Sequence, residues 1–153
     1  MRRKERNIGD QAIIQDILNT SLICRIGLSD KEYPYILPLN YGHQDNALYF
    51  HCAPEGRKID LIKKNNKVCF EIESDYRLVS DDVSCKWTSE FRSLIGIGQI
   101  EILNNAEEKI KGLDIIMQQH GKEDNHYPPK MLDKLLVLKL NIKELSGKQS
   151  GVW

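Results

Sequence analysis

The chain has 153 residues, and its 22 lysines and arginines balance 22 aspartates and glutamates, so the formal net charge at pH 7 is zero. That balance excludes the overall positive charge typical of nucleic-acid-binding and anionic-membrane-binding domains, so any charged partner must be bound locally. The length suits one domain, here residues 1–153, which buries roughly two thirds of its unfolded surface without a disulfide or metal.

Targeting and metal signals are missing from the sequence. The basic N terminus is followed by Asn7, Gly9 and Asp10, where a signal peptide needs an apolar core, and no run approaches the ~20 apolar residues of a membrane span. The four cysteines form no CxxC pair, and the histidines lack ligand spacing. We expect a cytoplasmic protein with no membrane or nucleic-acid partner and no metal.

The first third of the chain predicts a short helix and a β-hairpin. Asp10 is suited to cap a helix that ends near Asn19, and residues 22–28 and 33–41 predict two strands around a polar turn. Pro34 and Pro38 cannot donate to a ladder, so the second strand is expected at a sheet edge or a bulge.

The middle of the chain predicts two more strands around a helix. Residues 47–51 form the third strand, Pro54 and Gly56 break it, a helix covers residues 57–65, and residues 68–72 form the fourth strand. The polar stretch at residues 74–85 predicts a loop.

The last third predicts two strands around the most clearly marked helix. Residues 91–103 form a long strand, Asn105 and Glu108 make a capping box for a helix, residues 135–142 form the last strand, and residues 146–153 are a glycine-rich tail. Six strands without regular strand–helix alternation favour a mainly β, antiparallel barrel with flanking helices over a doubly wound sheet.

The turn at Gly56 is the most informative segment for function. A strand ends there, and a helix begins with Arg57 and Lys58. Helix N-termini present unpaired backbone N–H groups and a partial positive charge, so two cations placed there make sense if an anion of about two charges binds. A solvated helix face that continues through Lys63 and Lys64 is the alternative.

Two further side chains have both a functional and a structural interpretation. His51 ends a strand just before the turn, where it could orient a cofactor or transfer a proton, or simply donate to a backbone carbonyl. Strand alternation places Ser93 opposite Arg92, and Ser93 could contact a ligand or be a small residue in a packed face.

Four segments together carry a family resemblance: MRRKER at residues 1–6, YPYILPLNYG at 33–42, YFHCA at 49–53 with GRK at 56–58, and SLIGIG at 93–98. In this combination and order the chain resembles the nitroimidazole-resistance branch of the pyridoxamine 5'-phosphate oxidase-like split-barrel flavoproteins. The match runs from Met1 to about Leu140.

The resemblance implies a six-stranded antiparallel split β-barrel, a homodimer and one flavin mononucleotide (FMN) in each of two clefts between subunits, with the dinucleotide flavin FAD or haem as alternative cofactors. By matching position, Arg57 and Lys58 would bind the phosphate, Ser93 would reach the flavin from the neighbouring subunit, and His51 would be the catalytic candidate. The remaining expected cofactor-binding residues line the ring: Leu37, Pro38, Leu39, Asn40, Tyr41 and Phe50, with His51 against it.

The C terminus departs from the oxidase that names the superfamily. That enzyme ends in an arginine-containing segment that grips its pyridoxal substrate, whereas this chain ends SGKQSGVW at residues 146–153. Vitamin B6 oxidation is therefore not expected.

Three functions remain open from the sequence. The first is a flavin-dependent oxidoreductase acting on a small acceptor, for example a nitroaromatic such as a 5-nitroimidazole, with His51 as proton donor or ring orienter. The second is a module that stores or senses flavin or holds haem through His51. The third is a dimeric scaffold with an empty cleft.

Overall fold

A computed structural model describes residues 3–151 and 153. Its architecture is a mainly antiparallel sheet flanked by helices, which confirms the predicted fold class. The described residues contain eight strands where six were expected, because two short segments also pair with the sheet.

The strands are β1 (Asn7–Ile8), β2 (Ile23–Leu28), β3 (Tyr35–Asn40), β4 (Gly42–Gln44), β5 (Ala47–Cys52), β6 (Lys67–Val79), β7 (Thr88–Leu103) and β8 (Leu136–Ser150). The helices are α1 (Gln11–Thr20), α2 (Arg57–Lys64), α3 (Ala106–Gln119) and α4 (Pro129–Leu132), and single 3-10 turns lie at Lys4–Arg6 and Ser84–Lys86.

The sheet curls until its two ends meet. Its strand order is β3-β2-β6-β7-β8-β5-β4, with β1 on β8. The terminal strands β3 and β4 are joined in the chain by a single residue, Tyr41, whose backbone N–H donates to the carbonyl of Leu22, just before β2. The ends of the sheet therefore lie together without a ladder between β3 and β5, which is the geometry of a split barrel.

The barrel interior is a continuous apolar core, which receives α1 and α2 as well as the inward residues of the strands. Its largest fully buried side chains include Phe50, Phe70 and Tyr41. A second, smaller cluster lies where α3 covers the outside of β5, around Tyr49, Leu113 and Val137. The core thus holds β5 firmly from both faces.

Both predicted helix caps are confirmed. The Asp10 carboxylate accepts from the backbone N–H of Ala12 at 2.8 Å, and the Asn105 amide oxygen accepts from that of Glu108 at 2.7 Å. Each bond satisfies one of the unpaired donors at a helix start.

The predicted hairpin of the first two long strands is confirmed as well, and β3, which contains Pro38, lies at the end of the sheet order as expected.

Two predictions for irregular segments were wrong. β6 continues through residues 74–79 and pairs with the start of β7 up to Val79 opposite Thr88, after a bulge between Ser74 and Tyr76. The expected tail from Ser146 is strand as far as Ser150, because β7 pairs with it.

Among the described residues, no helix has both the length and the apolar character needed to cross a bilayer. The cytoplasmic location stays a prediction.

Candidate functional site at the start of helix α2

Gly56 turns the chain from β5 into α2. Its φ of 113° lies in the region that favours glycine, and its carbonyl accepts from the backbone N–H groups of Ile59 and Asp60 at 2.9 and 3.2 Å. No side chain caps this helix start. The amides of Arg57 and Lys58 precede the helical hydrogen bonds, so they remain available to an external acceptor.

Arg57 is held between a carboxylate and an aromatic ring. Its Nε and Nη2 both donate to Asp30 Oδ2, at 2.9 and 2.6 Å, and its guanidinium carbon lies 4.5 Å from the centre of the Tyr35 ring. Asp30 lies in the turn between β2 and β3, and Tyr35 begins β3. The contacts therefore join the start of α2 to the start of the edge strand.

Lys58 is half-buried, and its charge acts on the Cys52 thiol at the end of β5. Burial raises the pKa of that thiol, and the charge of Lys58 acts in the other direction. A neutral thiol at neutral pH leaves the positive charge of Lys58 uncompensated by Cys52.

The edge strand β3 presents alternate residues to the core and to the outside. Leu37 and Leu39 are half-buried against the core, whereas Pro38 and Asn40 are exposed on the outer face. One side of β3 pairs with β2, and its other side has no ladder within the described part of the sheet. Backbone groups along that edge can therefore bind a ligand.

Tyr41 and Phe50 are fully buried in the core. The Tyr41 hydroxyl donates to the carbonyl of Leu18 at 2.8 Å, and burial raises its pKa. These two predicted residues could therefore contact a cofactor only through backbone atoms, or support the cofactor-binding surface from within the core.

His51 is exposed at the end of β5. It pairs with Val137 through the backbone, and strand alternation turns it away from the core side occupied by Phe50 and Cys52. Its imidazole is thus accessible to a small molecule or to a second chain.

Ser93 lies on β7, opposite Glu73 on β6 and Lys148 on β8. Three strand spacings separate β7 from β3, or about 14 Å. Ser93 and Asn40 nevertheless share the outer face of the sheet, because the register continues from Ser93 through β6 and β2 to Asn40. Within one chain Ser93 and the edge strand β3 are therefore three strands apart, and a second chain lying on this face could contact both Ser93 and Asn40.

The outer face also carries an apolar groove of about 810 Å³. Ile36 and Ile97 line it and are 64% and 43% exposed. Ile95, on the same side of β7, is exposed too. Such a contiguous apolar surface is typical of interfaces.

The family of the chain follows from its sequence match over residues 10–149 to the model described as pyridoxamine 5'-phosphate oxidase. The chain belongs to this family. Its barrel has the flavin-binding fold of pyridoxamine 5'-phosphate oxidase-like proteins, which are often dimeric, and the family resemblance read from the sequence is confirmed.

The chain is also similar to individual members and fold relatives. A crystal structure described as a candidate 5-nitroimidazole antibiotic resistance protein from Bacteroides thetaiotaomicron is 31% identical, covers 94% of this chain and 86% of that one, and superposes with a TM-score of 0.84. The flavocytochrome Anf3 of Azotobacter vinelandii is 19% identical (99% and 72% covered, TM-score 0.82), and an FAD and haem binding protein of Mycobacterium smegmatis is 18% identical (97% and 75% covered, TM-score 0.85). The last two show the fold alone.

One curated relative matches over a short stretch. An uncharacterised protein of Rhizobium meliloti (strain 1021) is 34% identical over 58 residues, which is 38% of either chain.

Within this family fold, the structure adds two site residues that the sequence did not indicate. The sequence placed Asp30 in a polar turn and Tyr35 in a strand. Arg57 lies 27 residues after Asp30, and this spacing does not predict a contact between them. The contact arises only when the sheet edge and the helix start are brought together by the barrel.

Proposed function

We propose that the protein is an FMN-dependent oxidoreductase that reduces a small acceptor, for example a nitroaromatic compound such as a 5-nitroimidazole. The observation that supports this most strongly is the start of α2. There, Arg57 and Lys58 accompany free backbone amides, next to an unpaired sheet edge, in a family with a flavin-binding fold.

The residues at the start of α2 suit a phosphate. A helix N-terminus is already partly positive, so adjacent cations there raise the local potential and are stabilised by a bound anion. Arg57 offers planar donors and Lys58 a compact charge, a combination suited to a group that carries about two negative charges.

The edge of β3 suits the flat ring of a flavin. Pro38 interrupts donation along the strand, and the backbone groups of residues 37–41 lie along an unpaired edge. These groups would hold the polar side of the ring, and the protein would thereby orient it and tune its potential.

We further propose that the working form is a homodimer assembled on the outer face of the sheet. Ile36, Ile95 and Ile97 expose an apolar surface there, and Ser93 shares that outer face. In a dimer, Ser93 would reach the site of the neighbouring subunit.

His51 is the proposed proton donor or ring-orienting residue. Its imidazole is exposed at the end of β5, a few residues before the phosphate-binding turn. When bound, the flavin supplies the electrons; the chain places the ring and the acceptor side by side, and His51 holds a proton near the acceptor.

Turnover tests the proposal directly. The purified chain is loaded with FMN, reduced anaerobically and mixed with a 5-nitroimidazole, and the rate of flavin reoxidation is compared with that of free reduced FMN. We expect a faster rate in the protein and a slower one in His51→Gln. A rate equal to that of the free cofactor would contradict an enzymatic role.

A cofactor-binding module without turnover is the second candidate, because the exposed His51 is also suited to be an axial haem ligand. The start of α2 opens to solvent, since the Arg57 side chain is 61% exposed, and this leaves room for the diphosphate of FAD. An absorption spectrum separates the cofactors: two flavin bands support the flavoprotein, and one intense Soret band supports a haem protein.

A further inference from the structure

Contacts within the chain restrain the side chain of Arg57. The Asp30 carboxylate holds one edge of the guanidinium with two hydrogen bonds, and the Tyr35 ring lies against its face at 4.5 Å. Asp30 itself is well covered, with 15% of its side chain exposed, so it provides a firm support.

This arrangement leaves part of the guanidinium free to bind. An arginine carries five N–H donors, and Asp30 engages only Nε and Nη2. Nη1 takes no part in the Asp30 contact, and the side chain is 61% exposed. Arg57 can therefore bind a second anion while it keeps its contact with Asp30.

Holding the side chain in advance has an energetic consequence. A free arginine loses rotamer entropy when it is immobilised. In this chain Asp30 and Tyr35 already restrict the Arg57 side chain, so less side-chain entropy is lost when Arg57 binds a phosphate.

We infer that Tyr35 and Asp30 are positioning residues that hold Arg57 in an orientation suited to phosphate and so strengthen the preference of the site for phosphorylated flavin over riboflavin. This inference rests on the proposed FMN function. It assigns part of the cofactor specificity of the site to two residues that do not themselves contact the phosphate. A merely structural role, in which Arg57 ties α2 to the hairpin of β2 and β3, would change stability without changing ligand preference.

The test compares Tyr35→Leu with Tyr35→Phe, since neither substitution changes the net charge. Dissociation constants for FMN and for riboflavin are measured by flavin fluorescence titration, and unfolding midpoints are recorded in parallel. Removing a cation–π contact is expected to weaken FMN binding by roughly two- to fivefold in Tyr35→Leu and to leave riboflavin binding unchanged. Tyr35→Phe keeps the ring and should retain the FMN preference of the wild type.

Asp30→Asn provides the second variant. Removing a negative charge would by itself favour an anion, so we expect a loss of FMN affinity at unchanged riboflavin affinity if Asp30 orients Arg57. A gain in FMN affinity would show that Asp30 competes with the phosphate and would overturn the inference.

Other outcomes separate the two proposals. If Tyr35→Leu lowers the unfolding midpoint but keeps the ratio of FMN to riboflavin affinity, the positioning role is refuted while the proposed function stands. If the wild-type protein binds neither flavin, the proposed function fails and the inference fails with it.

Discussion

Replacing Lys58 by methionine is the substitution that most directly tests the phosphate-binding site. Met keeps the length of the side chain and its packing beside Cys52 but removes the charge. A hydrogen bond to a charged group contributes about 1.5–3 kcal/mol. Because Lys58 is half-buried and therefore less screened than a surface lysine, we expect the dissociation constant for FMN to rise about 10- to 150-fold.

Lys63 provides the matched control for this measurement. It is exposed in the last turn of the same helix, so Lys63→Met changes the net charge equally without touching the helix start. Fluorescence titration with FMN and riboflavin should show a large loss for FMN in Lys58→Met, little change for riboflavin, and at most about a twofold change in Lys63→Met. Equal losses in both lysine variants would refute a localised phosphate site, and so would an equal loss for both flavins.

Three further predictions concern pH, packing and assembly. Burial lowers the pKa of His43, so the unfolded chain binds a proton more readily than the folded one, and the free energy of unfolding should fall as the pH drops below about 6.5. His43→Gln should flatten that dependence in thermal melts between about pH 7.5 and 5.5, and an unchanged slope would contradict it. Gly42→Ala should destabilise the fold by about 1–3 kcal/mol in urea denaturation, because the added Cβ would lie 2.5 Å from the carbonyl oxygen of Ile115 on α3. Ile97→Glu should shift the protein from dimer to monomer in sedimentation experiments, and a variant that stays dimeric would place the interface elsewhere.

The sequence was most informative where local chemistry and pattern coincide. The caps at Asp10 and Asn105 and the edge position of β3 with Pro38 are confirmed, because a missing donor or a capping side chain has few alternative uses. The helix start at Arg57 was also placed correctly.

The extensions of β6 and β8 could not be predicted from periodicity. Beyond Ser74, β6 pairs with β7 as a ribbon with exposed residues such as Tyr76, so no buried face marks it as a strand. The end of β8 contains Gly147, where an added Cβ would lie 2.8 Å from Cβ of Ile8, so the glycine permits close strand packing and does not end the structure.

The sequence predicted only part of the candidate site, because some of its contacts join residues that are distant in the chain. Arg57 and Lys58 are neighbours in the chain, and a helix start predicts their chemistry. Asp30 and Tyr35 reach Arg57 through the closure of the barrel, and such contacts leave no local pattern.

Loading the chain with flavin is the simplest test of whether the start of α2 binds a flavin phosphate. The chain is incubated with excess FMN, passed through a size-exclusion column to remove free cofactor, and its spectrum is recorded. We expect flavin absorbance to migrate with the protein. We also expect the loaded protein to melt at a higher temperature, consistent with a gain of about 2.7 kcal/mol at a ligand concentration of ~100 times the dissociation constant. Colourless protein with an unchanged melting temperature would contradict it.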